Sequence, residues 1–158
     1  MVRWDKVGGY GGEWGIGMFI GSYEHRLDEK GRLVLPAPFR EPMEAGMVAS
    51  AGIGHCVSIY SRERWSSILT KVQNLPFPKG KTRDFLRVLL ATAQELELDR
   101  SGRILIGAPL RQHGGILQDV VVLGAGDHLE VWDAASWKEY SQKVLDDFAE
   151  IAEEVEGL

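Results

Sequence analysis

The feature that most constrains this chain is that it repeats itself. Displaced by 71 positions, Leu27–Arg40 falls on Leu98–Arg111, and seven of the fourteen positions are identical. With one extra residue in the second copy the match continues: Gly54 meets Gly126, Ile59-Tyr60 meets Val131-Trp132, Trp65 meets Trp137, and Lys71-Val72 meets Lys143-Val144. Two units of about 70 residues are too few for a solenoid, whose repeats need several neighbours, but they suffice to pack on each other as an internal dimer.

Both copies carry the same punctuation. A short segment runs into Leu-Asp, and three residues ending in Gly31 or Gly102 make a tight turn, because glycine supplies the positive φ that such turns need. Asp28 and Asp99 read as turn formers, since Asp bonds nearby backbone amides and a bare carboxylate repels phosphate. Arg32-Leu-Val-Leu-Pro and Arg103-Ile-Leu-Ile-Gly follow as short strands, and Ala-Pro then opens a helix of one or two turns, where proline is tolerated. Further strands are expected at Met47–Ala51, Cys56–Tyr60, Val120–Leu123 and Leu129–Trp132.

Ser61 is placed to cap a helix with an apolar face of Trp65, Ile68, Leu69 and Val72. Asp133 is placed to cap another, carrying Trp137, Tyr140, Val144, Phe148, Ile151 and Val155. Both faces are expected to be buried. Asn74–Gly80 breaks the chain between the units, and Phe85, Val88, Leu89 and Ala93 mark a connecting amphipathic helix.

Met18-Phe19-Ile20-Gly21, then Leu-Asp-x-Lys-Gly-Arg-Leu-x-Leu-Pro over Leu27–Pro36 and Phe39-Arg40, resembles the start of the MraZ family of bacterial regulators. The second half resembles that family's second repeat through Leu98–Ile106, Leu110–Gly115, Glu130–Asp133 and Trp137. The likeness covers Met18 to roughly Val144.

It implies an α+β, β-rich fold of two tandem AbrB-like swapped-hairpin modules forming a pseudo-twofold unit with flanking helices. The expected organisation is a flexible extension over 1–17, a first module over 22–65, a linker and connecting helix over 66–92, a second module over 93–136 and an acidic C-terminal helix over 137–158. The resemblance further implies sequence-specific binding to double-stranded promoter DNA, repression of the division and cell-wall operon that contains the protein's own gene, and a ring-shaped homo-oligomer of octamer type. Its DNA-contacting arginine falls on Arg32, with Arg103 as the repeat equivalent. Three departures stand out: Gly107 replaces the first copy's Pro36, Ser101 replaces Lys30, and residues 1–17 precede the usual start.

The residues allow more than one reading at several positions. Arg32 and Arg103 follow a turn glycine, where a guanidinium projects toward phosphates or a guanine edge, or else pairs with Asp28 and Asp99 across the turn. Lys30 and Arg26 are candidate DNA-backbone contacts. Arg40 and Arg111, matched after the short helices, suit either a contact or an internal salt bridge.

Charge enters through its distribution. The net charge of -5 argues against nucleic acid, but residues 127–158 hold ten acidic and two basic residues, whereas 62–87 hold seven basic and two acidic. From charge alone that basic stretch reads as solvated helix faces or as a DNA-binding surface, and the duplicated arginine turns favour the second.

Enzyme, cofactor and metal readings find no support. There is no Gly-x-Ser-x-Gly elbow, His25, His55, His113 and His128 include no i,i+4 pair, and Cys56 is the sole cysteine, read as a small buried hydrophobe. Gly8–Gly17 lacks the preceding strand and following helix of a phosphate loop; a flexible extension, or else a natural start at Met18, is expected instead. No apolar run approaches the roughly 20 residues of a membrane span, and no signal pattern opens the chain, so a cytoplasmic, nucleoid-associated protein is expected, with no small-molecule substrate. An assembly module without specific DNA binding is the competing reading.

Overall fold

The computed structural model describes residues 18–76 and 80–157; the glycine-rich leader, residues 1–17, and the expectation of its flexibility lie outside them. The opening strand of each repeat pairs with the other repeat. β1 (Ser22–Arg26) runs antiparallel to β7 (Asp119–Gly124), and β5 (Gln94–Leu96) runs antiparallel to β3 (Met47–Ala51). Inside the repeats, β3 pairs with β4 (Val57–Ser61) and β7 with β8 (Leu129–Asp133). Contact between β4 and β8 completes a six-stranded sheet of order β1-β7-β8-β4-β3-β5. β2 (Arg32–Val34) and β6 (Arg103–Leu105) form a separate two-stranded ribbon.

This is the swapped arrangement that the repeat and its resemblance imply, and the registers obey its pseudo-twofold. Leu33 faces its equivalent Ile104 at the centre of the ribbon, and Ser58 faces its equivalent Glu130 at the centre of β4–β8. The single extra residue of the second copy resolves into two gained ahead of β7 and one lost in the β7–β8 turn, since Ala49 and Val122 occupy matching places opposite Ile59 and Val131.

Alternation along the strands builds the core. Met47, Ala49, Val57, Ile59, Val120, Val122, Leu129 and Val131 point to one side of the sheet, where they meet Leu33, Leu35, Ile104 and Ile106 from the ribbon. The four ribbon residues are at most 1% exposed, and each such side chain contributes about 1.5–3 kcal/mol through burial. Phe39 of α1 (Ala37–Arg40) and Leu110 of α4 (Ala108–His113) close the same core, and both short helices carry proline in their first turn.

The opposite side of the sheet carries the longer helices. Ser61 Oγ accepts the Arg64 amide at 3.1 Å and caps α2 (Arg62–Gln73), whose Trp65 packs against Tyr60. Asp133 accepts the Ser136 amide at 3.3 Å and caps α5 (Ala134–Asp146), whose Trp137 packs against Trp132. Both capping expectations hold.

The C-terminal apolar face departs from expectation in two ways. The helix breaks at Asp147, whose φ of -105° and ψ of 13° separate α5 from α6 (Phe148–Glu154). Its apolar stripe is not fully buried: Trp137 and Tyr140 reach Trp132 on the sheet, Tyr140 staying half exposed, while Phe148, Ile151 and Val155 are 42–60% exposed, with no other described segment of the chain over them. In α2 only Trp65 is buried, with Ile68, Leu69 and Val72 half-buried. The connecting helix α3 (Lys81–Thr92) buries Leu86 and leaves Phe85 and Val88 more than half exposed. Among the described residues, no helix is long and apolar enough to cross a membrane.

Candidate nucleic-acid interface

The two Leu-Asp turns have the same atomic plan. Asp28 Oδ1 accepts the amides of Lys30 at 2.9 Å and Arg32 at 2.8 Å, while the Gly31 amide donates to the Asp28 carbonyl at 3.0 Å. Asp99 Oδ1 likewise accepts the amides of Ser101 at 2.8 Å and Arg103 at 2.9 Å, with Gly102 donating to the Asp99 carbonyl. Gly31 and Gly102 take φ of +84° and +73°, a conformation that L side chains rarely adopt. Aspartate, glycine and arginine are thus parts of one small structure, which explains why their spacing is the same in both repeats.

Each turn arginine also pairs with its own aspartate: Arg32 Nε donates to Asp28 Oδ2 at 2.6 Å, and Arg103 Nε to Asp99 Oδ2 at 2.8 Å. The hydrogen bond from the Arg32 amide, ahead of the guanidinium's own contributions, holds the Asp28 carboxyl below the usual carboxylate range; the Arg103 amide does the same for Asp99. Both guanidinium side chains remain about one-third exposed, at 33% and 32%.

Position on the ribbon brings the arginines together. Leu33 and Ile104 point into the core, so their neighbours Arg32, Val34, Arg103 and Leu105 lie on the opposite, outer face. Arg32 stands directly across from Leu105, and Arg103 directly across from Val34. The pseudo-twofold therefore places two arginines on one side of a single antiparallel ribbon.

The remaining candidates are distributed around this ribbon. Lys30 lies in the first turn and is exposed. Arg26, at the end of β1, pairs with Asp119 across the β1–β7 register at 2.9 Å, both side chains being about two-thirds exposed. Arg40 and Arg111 bond backbone: Arg40 Nε donates to the Leu35 carbonyl at 2.7 Å, and Arg111 Nη1 donates to the Ile106 carbonyl. The α2 part of the basic stretch does not extend the ribbon face. α2 lies across the sheet from the ribbon, and its Arg64 is bonded to Asp127 at 2.6 Å.

Sequence reasoning did not single out two features. One is Leu105, 49% exposed on the arginine face, which strict alternation along Arg103-Ile104-Leu105 would have revealed. The other joins the repeats behind the sheet: His128 bonds Asp127 at 2.7 Å and Glu130 at 3.1 Å and stacks on Tyr60 with ring centroids 5.0 Å apart. Cys56 is buried, as expected for a small hydrophobe, and burial, with Glu130 nearby, pushes its thiol up to about 12.

The turn, the ribbon strand and the exchanged opening strand occur twice, and so does the match to known proteins. The family model for MraZ protein matches residues 18–88 and, a second time, residues 89–156. The chain belongs to the MraZ family. It is 43% identical over 141 residues to the Transcriptional regulator MraZ of Thermoanaerobacter sp., covering 89% of this chain and 99% of that protein. It is 39% identical to the protein of the same name from Syntrophomonas wolfei and 36% identical to that from Lactobacillus helveticus, each over 141 residues with the same coverage. The two MraZ matches meet inside α3, the helix that carries the chain from one half of the pseudo-twofold unit to the other.

Proposed function

We propose that this protein is a transcription regulator that binds double-stranded promoter DNA in a sequence-specific way through the outer face of the β2–β6 ribbon, and that it represses the operon containing its own gene. The observation that carries this reading is the pairing of Arg32 and Arg103 on one exposed ribbon face. A two-stranded antiparallel ribbon fits the major groove, where an arginine reads a guanine edge by two hydrogen bonds. Lys30 and Arg26 lie at the ribbon's flank and serve as phosphate contacts, which set register rather than sequence. The names of the curated relatives agree with this role. Regulation calls for no catalytic group, and the protein is not an enzyme.

A salt-dependent titration on the DNA upstream of the protein's own gene, against scrambled DNA, tests the reading. Arg32→Ala and Arg103→Ala are each expected to weaken operator binding by comparable factors while fold is retained. Equal affinity for both DNAs, or an unaffected pair of variants, overturns it. A reporter driven by the same upstream DNA tests the sign: repression requires higher output when the protein is absent.

Self-association in a closed ring belongs to the same proposal, supported by the uncovered helix faces. Phe85 and Val88 on α3 are flanked by Lys81, Arg83 and Arg87, whereas Phe148 and Ile151 on α6 are flanked by Asp146, Glu150, Glu153 and Glu154. Two different patches of opposite charge define a head-to-tail contact, which closes into a ring when its rotation permits. Reversing Glu150 and Glu153 to Lys is expected to lower the solution mass, and reversing Arg83 and Arg87 to Glu in the same chain to restore it. A monomeric wild type across micromolar concentrations overturns the assembly reading alone.

A further inference from the structure

Resting on the DNA-binding reading above, we propose that Leu105, with Val34 as its weaker counterpart, reads the C5-methyl groups of thymines lying beside the bases contacted by the two arginines. Leu105 is a large apolar side chain, 49% exposed at the Arg32 end of the ribbon face that it shares with Arg32, Val34 and Arg103. The fold does not bury it: Ile104 and Ile106 on either side supply the core contacts of β6, at 1% and 0% exposure. Its backbone is nonetheless fixed. Gln94 Nε2 donates to the Leu105 carbonyl at 3.4 Å while Gln94 Oε1 accepts the Gly107 amide at 3.0 Å, so β6 is held in place from β5 where Leu105 projects.

Its chemical complement follows from the groove. Among base edges in the major groove, thymine alone presents an apolar group, its C5-methyl. Residues directly opposed in an antiparallel pair have Cβ atoms about 4.5–5.5 Å apart. When Arg32 meets a base edge, Leu105 across from it is therefore within about one base step of the same edge. The repeats differ here. Val34, across from Arg103, is shorter and half-buried, so the two halves of the ribbon make unequal demands: the Arg32–Leu105 half depends on a neighbouring thymine more than the Arg103–Val34 half does.

The test is a two-by-two comparison of wild type and Leu105→Ala on the upstream DNA and on the same DNA with deoxyuridine, which lacks only the methyl, in place of thymidine. Wild type is expected to bind the deoxyuridine DNA about three- to fivefold more weakly, the scale of one buried methyl group. Leu105→Ala is expected to lose a similar factor on thymidine DNA and to keep only the small deoxyuridine penalty that Val34 supplies, whereas Leu105→Met keeps a larger part of the methyl sensitivity. Val34→Ala is expected to lose less. Solution mass and melting, measured in parallel, establish that the variants fold and assemble as wild type does. A Leu105→Ala protein that keeps the full deoxyuridine penalty overturns the assignment while leaving the arginine reading intact. A wild type without operator preference, or Arg32→Ala binding as wild type does, overturns both.

Discussion

The guanidinium of Arg40, in the first repeat, lies over Gly102, the turn glycine of the second, so that a Cβ there would come within 2.8 Å of Arg40 Cζ. Arg111 covers Gly31 in the reciprocal way. Both arginines are tied to carbonyls of their own repeat, Leu35 and Ile106, and these residues in turn complete the ribbon: the Leu35 amide donates to the Gly102 carbonyl and the Ile106 amide to that of Gly31. The short helix of one half thus braces the turn of the other. With β1 and β5 also exchanged, each locally formed turn is packed against the opposite repeat.

Gly102→Ala is therefore expected to destabilise the fold by about 1–3 kcal/mol in urea unfolding, from the left-handed backbone and from displacement of Arg40. Adding Arg40→Ala removes the steric part but not the φ strain, so the double variant should lose less than the sum of the single losses. Gly31→Ala should follow the same pattern, with the Ile106 carbonyl, 3.2 Å from the added Cβ, as a further obstacle. A neutral Gly102→Ala would show that the turn relaxes freely.

A second expectation concerns acid. Because the carboxyls of Asp28 and Asp99 are held below their ordinary value, chiefly by the amides of Arg32 and Arg103, the turns are favoured while these groups are ionised. That contribution is complete above the ordinary aspartate value and is lost as pH falls through the lowered folded-state value. Carboxyl-carbon titration by NMR should place both midpoints below the ordinary aspartate value. Asp28→Asn should remove the acid dependence of its own turn and leave that of the Asp99 turn. Midpoints at the ordinary value would contradict the hydrogen-bond pattern.

Local signals in the sequence were sufficient for the turns, the caps at Ser61 and Asp133, and the strand positions, because each depends on residues within a few positions of one another. The repeat also announced an internal dimer. Pairing was a different matter: Arg26 meets Asp119 and Gln94 meets Ala49, and no short-range pattern states which of two similar strands lies alongside. The resemblance supplied the swap. Apolar periodicity also identified the C-terminal stripe but not its surroundings, since a helix face that packs within the chain and one left uncovered have the same spacing. The two turn arginines were legible as a pair; their placement on one ribbon face depends on the register of Leu33 with Ile104.

The His128 cluster illustrates what spacing cannot reveal, because its members converge from both repeats, and it yields the last prediction. His128 lies between Asp127 and Glu130, with Tyr60 stacked on its ring, and Arg64 Nη2 approaches Asp127 Oδ2 at 2.6 Å. Burial opposes charge on the imidazole, but hydrogen bonds to Glu130 and Asp127 and their negative charge prevail, and the pKa is raised above the usual histidine value. The two carboxyls are held low in return: Glu130 first by its bond to His128, and Asp127 by His128 and Arg64 against its own burial. A raised histidine stabilises the fold fully below its unfolded-state pKa, and that stabilisation disappears as pH rises through the raised folded value. Wild type should therefore exceed His128→Gln in stability most clearly on the acid side of neutrality, above the range in which Asp127 and Glu130 protonate, with the gap narrowing as pH climbs. Glu130→Gln should move the His128 midpoint down in an imidazole NMR titration. A stability gap that stays constant across neutral pH would assign His128 a packing role against Tyr60 in place of an electrostatic one with Asp127 and Glu130.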